Sequence, residues 1–320
     1  MYDLVALGEV LIDFTYYGLS EHGGALFEQN PGGAPANVLA MAAGLGLRTA
    51  FIGKVGADMH GDFLRQVLKS KGIDVAGLVS APDVFTTMAF VKLDGAERHF
   101  SFARKPGADM TLRAEDVDFK IIEAAKIFHF GSLSLTDQPA RDATIRAIEA
   151  AKAAGAVISY DPNYRPDLWP SVAEAKHRMR DAVQFADIIK ISDEETELLT
   201  DKSEPEAASF ALLAQGVTCV IVTLGADGAL VATKDGCIKK APPMCAPMDT
   251  TGAGDAFLGG FLYKLLKSEK SLAMHGLQEI EGYVDFANAA AGLCVEKRGA
   301  MTAMPDISAI CERLDTDKHL

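Results

Sequence analysis

The chain has 320 residues, 49% of them hydrophobic and 23% charged, and carries a formal net charge of −13. Such a composition belongs to a globular protein with enough apolar residues for one large core or two smaller ones. The acidic balance argues against nucleic acid and anionic membrane as main partners, but leaves room for an anionic ligand held in a local anion hole.

The chain starts on a strand-like stretch, Tyr2-Asp3-Leu4-Val5-Ala6-Leu7-Gly8, with no basic segment and no long apolar run. A secretory signal is therefore not expected, and a cytoplasmic location is. Short apolar runs predict strands at residues 4–12, 50–53, 126–129, 156–160, 188–191 and 217–223. Between them, helices are predicted at 37–45, 62–70, 138–154, 172–185, 206–214 and 255–266. This alternation predicts an α/β fold in which a mostly parallel sheet has helices on both faces and ligands sit beyond the C-terminal ends of the strands.

Two segments interrupt the pattern. Residues 13–29 are polar and glycine-bearing without helical period, and residues 85–103 read as strands 86–93 and 98–102 joined at Asp94-Gly95. Together they could form a small sheet acting as a lid; an ordinary surface hairpin would carry the same pattern. The five cysteines are an odd number without Cys-x-x-Cys spacing, which suits reduced thiols. The seven histidines show no metal spacing, and His129, at a strand end, reads as a packed structural residue in preference to a ligand.

The stretch Asp249-Thr250-Thr251-Gly252-Ala253-Gly254-Asp255 carries the most chemistry. A glycine turn that opens a helix offers free amides and a positive dipole end to a phosphate. A carboxylate in that turn would repel the phosphate, so Asp255 makes sense chiefly as the acceptor of a proton from the attacking group. At a helix N-terminus its pKa is expected to be depressed. A second glycine turn, Asn30-Pro31-Gly32-Gly33-Ala34-Pro35-Ala36-Asn37, opens the first long helix, with Pro35 suited to its first turn and Asn37 aimed into a site. Neither the Gly-x-x-x-x-Gly-Lys-Ser/Thr nor the Gly-x-Gly-x-x-Gly phosphate motif is present.

The two turns together, with blocks such as Gly8–Phe14, Asp161-Pro162-Asn163-Tyr164-Arg165 and Thr223-Leu224-Gly225-Ala226-Asp227-Gly228 in order between and around them, resemble the ribokinase-like (PfkB-type) carbohydrate kinases over nearly the whole chain. Gly-Gly-Ala-Pro-Ala-Asn is most similar to the fructokinase branch. The resemblance implies a three-layer α/β/α sandwich with a small β lid: a core of residues 1–12, 30–84 and 104–320, and a lid of 13–29 and 85–103. It implies ATP-dependent phosphorylation of a sugar hydroxyl, fructose to fructose 6-phosphate in the first instance. 2-Keto-3-deoxygluconate or another ribokinase-family substrate, and a catalytically silent sugar-binding regulator, stand as alternatives.

By the same resemblance Asp255 is the catalytic base, and Gly252, Ala253 and Gly254 form the anion hole. Asp13, Gly32, Gly33, Asn37, Arg104 and Arg165 contact the sugar. Lys190, Ser192, Thr223, Gly225, Gly228 and Asn288 contact ATP. Glu195 holds Mg2+ through water, and Asp249 with Thr251 marks the place of a monovalent cation such as K+. Ser192 departs from the asparagine usual there. Phe102, where keto-acid kinases often carry tyrosine, favours a neutral ketose. A homodimer joined through the lid is a further implication.

Overall fold

The computed structural model describes residues 1–94 and 97–317. Gly95 of the predicted Asp94-Gly95 turn lies outside the described residues.

The first apolar run does not make one strand. It divides at Gly8-Glu9-Val10 into β1 (Tyr2–Leu7) and β2 (Leu11–Leu19), which belong to different sheets. Residues 13–29, expected to join a small sheet, continue β2 and then form most of β3 (Ala25–Gly32). Next come α1 (Ala34–Gly44), β4 (Thr49–Gly56), α2 (Met59–Ser70), the short β5 (Ile73–Asp74) and β6 (Leu78–Ala81), and the pair β7 (Met88–Asp94) and β8 (Glu97–Ala103). The chain proceeds through α3 (Phe119–Glu123), β9 (Ala125–Gly131), α4 (Ala140–Ala153), β10 (Val157–Asp161), α5 (Val172–Val183), β11 (Ile188–Ser192), α6 (Thr196–Thr200), α7 (Pro205–Leu213) and β12 (Cys219–Thr223). It closes with β13 (Ala229–Thr233), β14 (Gly236–Lys240), α8 (Ala253–Lys267), α9 (Leu277–Val295) and α10 (Ile307–Asp317).

The large sheet runs β14-β13-β12-β11-β10-β9-β1-β4-β5, with β6 paired to β4. Pairing is parallel from β5 to β12 and antiparallel for β13 and β14. Both faces are buried, as a parallel sheet requires. Successive strand residues alternate between them: Val5 and Leu7 pack with α4 and α5, whereas Leu4 and Ala6 pack with α1, α8 and α9. The result is a three-layer sandwich.

A four-stranded sheet, β3-β2-β7-β8, stands apart, with β2 and β7 parallel and the outer pairs antiparallel. It is rooted in the core by both of its ends: β2 leaves from the end of β1 and β3 runs directly into α1. No helix among the described residues is long and apolar enough to cross a membrane.

Candidate active site

The two glycine turns converge although 218 residues separate Asn37 from Asp255: Asn37 Nδ2 donates to Asp255 Oδ2 at 2.8 Å, and both side chains are buried. Each turn depends on its glycine. Gly33 precedes α1 at φ 111°, and a Cβ there would lie 2.5 Å from the Glu9 carbonyl oxygen. Gly252 precedes α8 at φ 79°, and its Cβ would lie 2.7 Å from that of Ala300. Both are conformations that side chains rarely tolerate. α1 and α8 then pack against each other, which fixes Asn37 on the first turn of one helix against Asp255 on the first turn of the other.

Around this contact lies a cavity of about 650 Å³ whose walls include Asp13, Gly33, Asn37, Arg165, Lys190 and Asp255. A second cavity, about 750 Å³, is lined by Ser192, Thr223, Gly225, Gly228, Asn288 and the segment around Met244. Thr250 and Gly254 belong to the walls of both. The first turn of α8 is therefore the place where the two cavities meet. The amides of Gly252, Ala253 and Gly254 sit in that turn, where a helix has no internal acceptor to offer; Ala253 N makes only a long 3.4 Å contact to Thr250 O.

The electrostatics correct one expectation. Burial pushes Asp255 up to about 6, against the pull of the Lys190 charge and the Asn37 hydrogen bond, so it is raised where the helix dipole alone would depress it. Removing a carboxylate from water outweighs the dipole term here. Burial likewise pushes Asp13 up to about 7, opposed by the charge of Arg165. Arg165, exposed at the cavity mouth, acts electrostatically on both carboxylates.

The family resemblance assigns Lys190 to the nucleotide. It lies on the wall of the first cavity, buried, with Nζ 2.7 Å from Asp161 Oδ2 and close under Gly254. It thus stands at the junction, and Asp161 is its counterion. Thr223 and Asn288 lie on the wall of the second cavity, Asn288 donating to Lys240 O at 3.2 Å. Gly32 lies beneath Asp13, behind the wall, where a Cβ would collide with the Asp13 carboxylate.

Two assignments do not hold geometrically. Arg104 does not line the cavity; its guanidinium is buried and spent on Asp109 Oδ2 at 2.8 Å, Thr136 Oγ1 at 3.2 Å and Leu133 O at 2.9 Å. It pins the end of β8 to the core because a buried arginine must find several acceptors. Glu195 lines neither cavity: its oxygens accept the Tyr164 amide at 2.6 Å and the Ser192 amide at 2.7 Å. The carboxylates on the wall of the second cavity are its neighbours Asp193 and Glu194. Asp249 ties its own loop, accepting from Thr251 N and Oγ1 at 2.9 and 2.7 Å and from Gly299 N at 3.0 Å. His129 is buried beneath the site, bonded to Ser159 and held neutral by burial, which lowers it to about 4.

Residues 1–307 match the model of the pfkB family carbohydrate kinases. The chain belongs to that family. Among its curated relatives is Fructokinase-1 of Oryza sativa subsp. japonica, 40% identical over 310 residues that span 94% of each chain. Among solved structures, a fructokinase with bound ATP from Xylella fastidiosa superposes with a TM-score of 0.92 at 33% identity, covering 99% of this chain and 100% of the other. A double mutant of the fructokinase from Vibrio cholerae O395, in fructose, ADP and potassium ion bound form, gives a TM-score of 0.88 at 34% identity over 98% of each chain.

Within this pfkB-family site, sequence reasoning missed two residues. Glu9 sits in the turn between the two sheets and caps α1, accepting the Ala34 amide at 2.9 Å in place of the side chain Gly33 lacks. Asn163, at φ 46°, lines the first cavity from a left-handed backbone position that asparagine tolerates better than most residues. Both lay inside quoted motif blocks. Glu9 follows a strand end and Asn163 sits in an Asp-x-Asn-x-Arg run, which are the signals that could have singled them out.

Proposed function

We propose that this protein transfers the γ-phosphoryl group of ATP to fructose, giving fructose 6-phosphate and ADP. One observation carries the reading: two cavities, each large enough for one small substrate, meet at the Thr250–Gly254 turn with a buried carboxylate on the sugar side. The sugar lies in the first cavity against Asp13, Asn37 and Arg165, which offer fixed acceptors and donors to its hydroxyls. The nucleotide lies in the second, with its terminal phosphate at the Gly252–Gly254 amides and the Lys190 ammonium nearby. The sugar hydroxyl oxygen attacks the γ-phosphorus, the bond to the β–γ bridging oxygen breaks, and ADP leaves. Asp255 takes the hydroxyl proton. A pKa of about 6 leaves it ionised at neutral pH and makes it a stronger base than an ordinary aspartate.

Mg2+ bound with ATP would neutralise charge on the phosphate oxygens. The metal would be carried by phosphates and water, with Asp193 and Glu194 the carboxylates on the wall of the second cavity. We place a monovalent cation at the Asp249-Thr250-Thr251 loop, where it would stabilise the turn that bears the amides. The β3-β2-β7-β8 sheet acts as the lid, with Leu11, Asp13 and Phe102 lining the sugar cavity from its strands. Excluding water matters because water competes with the hydroxyl for the phosphoryl group.

We place the enzyme in the cytoplasm as a homodimer joined through this sheet, whose surface exposes Tyr17, Leu19, Leu26 and Phe27. The test of the activity is an ADP-release assay over a panel of sugars, sugar acids and nucleosides. Turnover is expected on fructose. Turnover on 2-keto-3-deoxygluconate with fructose inert would overturn the substrate, and sugar binding without turnover would overturn the activity.

A further inference from the structure

One wall of the second cavity is built from a segment that is neither helix nor strand. Residues 241–248, Ala-Pro-Pro-Met-Cys-Ala-Pro-Met, lead from β14 to the Asp249 turn, and Pro242, Pro243, Met244, Cys245 and Pro247 face the cavity. The adjoining wall is α9, through Asn288, Ala291, Gly292 and Val295. Three of the eight strap residues are prolines without an amide hydrogen, so no strand ladder can hold this backbone in place.

Side chains hold it instead. Arg313 of α10 donates through Nη1 to Met244 O at 3.2 Å and through Nη2 to Glu296 Oε2 at 2.8 Å. Glu296, just beyond the end of α9, accepts the Ala246 amide on Oε1 at 3.3 Å. One ion pair thus fastens the middle of the strap at two points. The ends are fastened elsewhere: Asn288 binds Lys240 O, and the Met248 and Asp249 amides donate to Val295 O at 2.7 and 3.0 Å. The strap and Arg313 pack directly on this stretch of α9: a Cβ at Gly292 would lie 3.7 Å from Cys245 Cβ and 3.9 Å from Arg313 Nη1, ordinary contact distances. Neither Arg313 nor Glu296 lines the cavity itself.

We propose that Arg313 and Glu296 are positioning residues for the nucleotide: they seat the proline strap on α9 so that the two walls together grip the base, and the C-terminal helix sets nucleotide affinity without touching the ligand. This rests on the reading of the second cavity as the nucleotide site. The base end of that cavity is apolar, made of prolines, Met244, Ala291 and Val295, so its grip comes from close packing of two walls. Close packing is lost when one wall drifts by a fraction of an ångström.

The test uses the full-length protein and ADP as the calorimetric probe, followed by steady-state kinetics. Arg313→Ala is expected to weaken ADP binding and raise KM for ATP by about 5–10-fold, as a freed wall packs less closely on the base while its contact residues remain. kcat and KM for fructose should stay within about twofold. Arg313→Lys should fall between, because an ammonium lacks the planar fork that serves both acceptors. Glu296→Ala added to Arg313→Ala should cost less than the sum of the two single changes, since they act as one latch. If wild-type protein binds ADP and Arg313→Ala binds it equally well, the positioning role falls while the site assignment stands. A rise shared equally by both substrates, with a lowered kcat, would also overturn it as mere loss of structure. If wild-type protein fails to bind ADP, the site assignment falls and the inference with it.

Discussion

The chemistry at the residue scale turns on three acids that burial has made weaker. Asp255 and Asp13 are raised to about 6 and 7, and Glu9 is raised to about 7 by the same cause. Each therefore makes the folded state less stable as pH rises. The group's neutral form is the one the fold prefers, so its contribution is fully favourable below the unfolded pKa, near 4, and is lost as pH passes the folded value. Asp13→Asn removes this penalty. The variant should melt at a higher temperature than the wild type at pH 8, with a much smaller gain at pH 5, and its KM for fructose should rise by about tenfold or more as one charge-assisted hydrogen bond is lost. Thermal melts at the two pH values check the first part; a gain that is equal at both, or a loss at pH 8, would contradict it. The position of Asp255 in a glycine turn was legible in the sequence, but its pKa was not. A helix dipole can be read locally, whereas desolvation depends on what the rest of the chain packs on top.

The elements behave as sequence patterns suggest wherever one face decides. The six predicted core helices all form, with ends within a few residues of expectation, because apolar spacing and caps such as Ser171 at the start of α5 are local signals. α9 escaped because its buried face wraps most of the way round, with Ala287, Asn288, Ala289 and Ala290 all buried in succession. β13 and β14 escaped because a short antiparallel edge hairpin carries little apolar contrast. Strand β2 was cut short by its polarity: Asp13, Thr15 and Tyr17 are polar because the strand lies over a site and then reaches solvent. The two arginines separate at this scale as well. Arg104→Ala leaves the buried Asp109 carboxylate without its counter-charge, with the Thr87 hydroxyl still donating to it, and frees the end of β8, so it should destabilise the protein by about 3–5 kcal/mol. Arg165→Ala should cost far less stability, by deepening the burial penalty on Asp13 and Asp255, and should raise KM for fructose. Chemical denaturation and kinetics on both variants check this; a stable Arg104→Ala enzyme with an altered sugar KM would return Arg104 to the sugar site.

For the whole molecule, the fold brings two distant turns to one point and sets a cavity on either side of it. This long-range meeting of Asn37 and Asp255 could not be derived from either turn alone; it followed from the family resemblance, and the packing of α1 on α8 supplies its physical cause. The four-stranded sheet exposes Tyr17, Leu19, Leu26 and Phe27, and the proposed dimer through this surface is open to direct test. Light scattering at micromolar concentration should find a dimer, and Tyr17→Glu with Leu19→Lys should give a monomer; a monomeric wild type would contradict that assembly. The central claim is that Asp255 accepts the hydroxyl proton where the two cavities meet, and kcat against pH for the wild type and for Asp255→Asn tests it most directly. The wild type should lose kcat as pH falls through about 6, since the protonated acid can accept nothing, and Asp255→Asn should be lower by about 10²–10⁴ with that step gone while fructose and ADP still bind. Turnover by Asp255→Asn equal to that of the wild type would remove Asp255 from the mechanism.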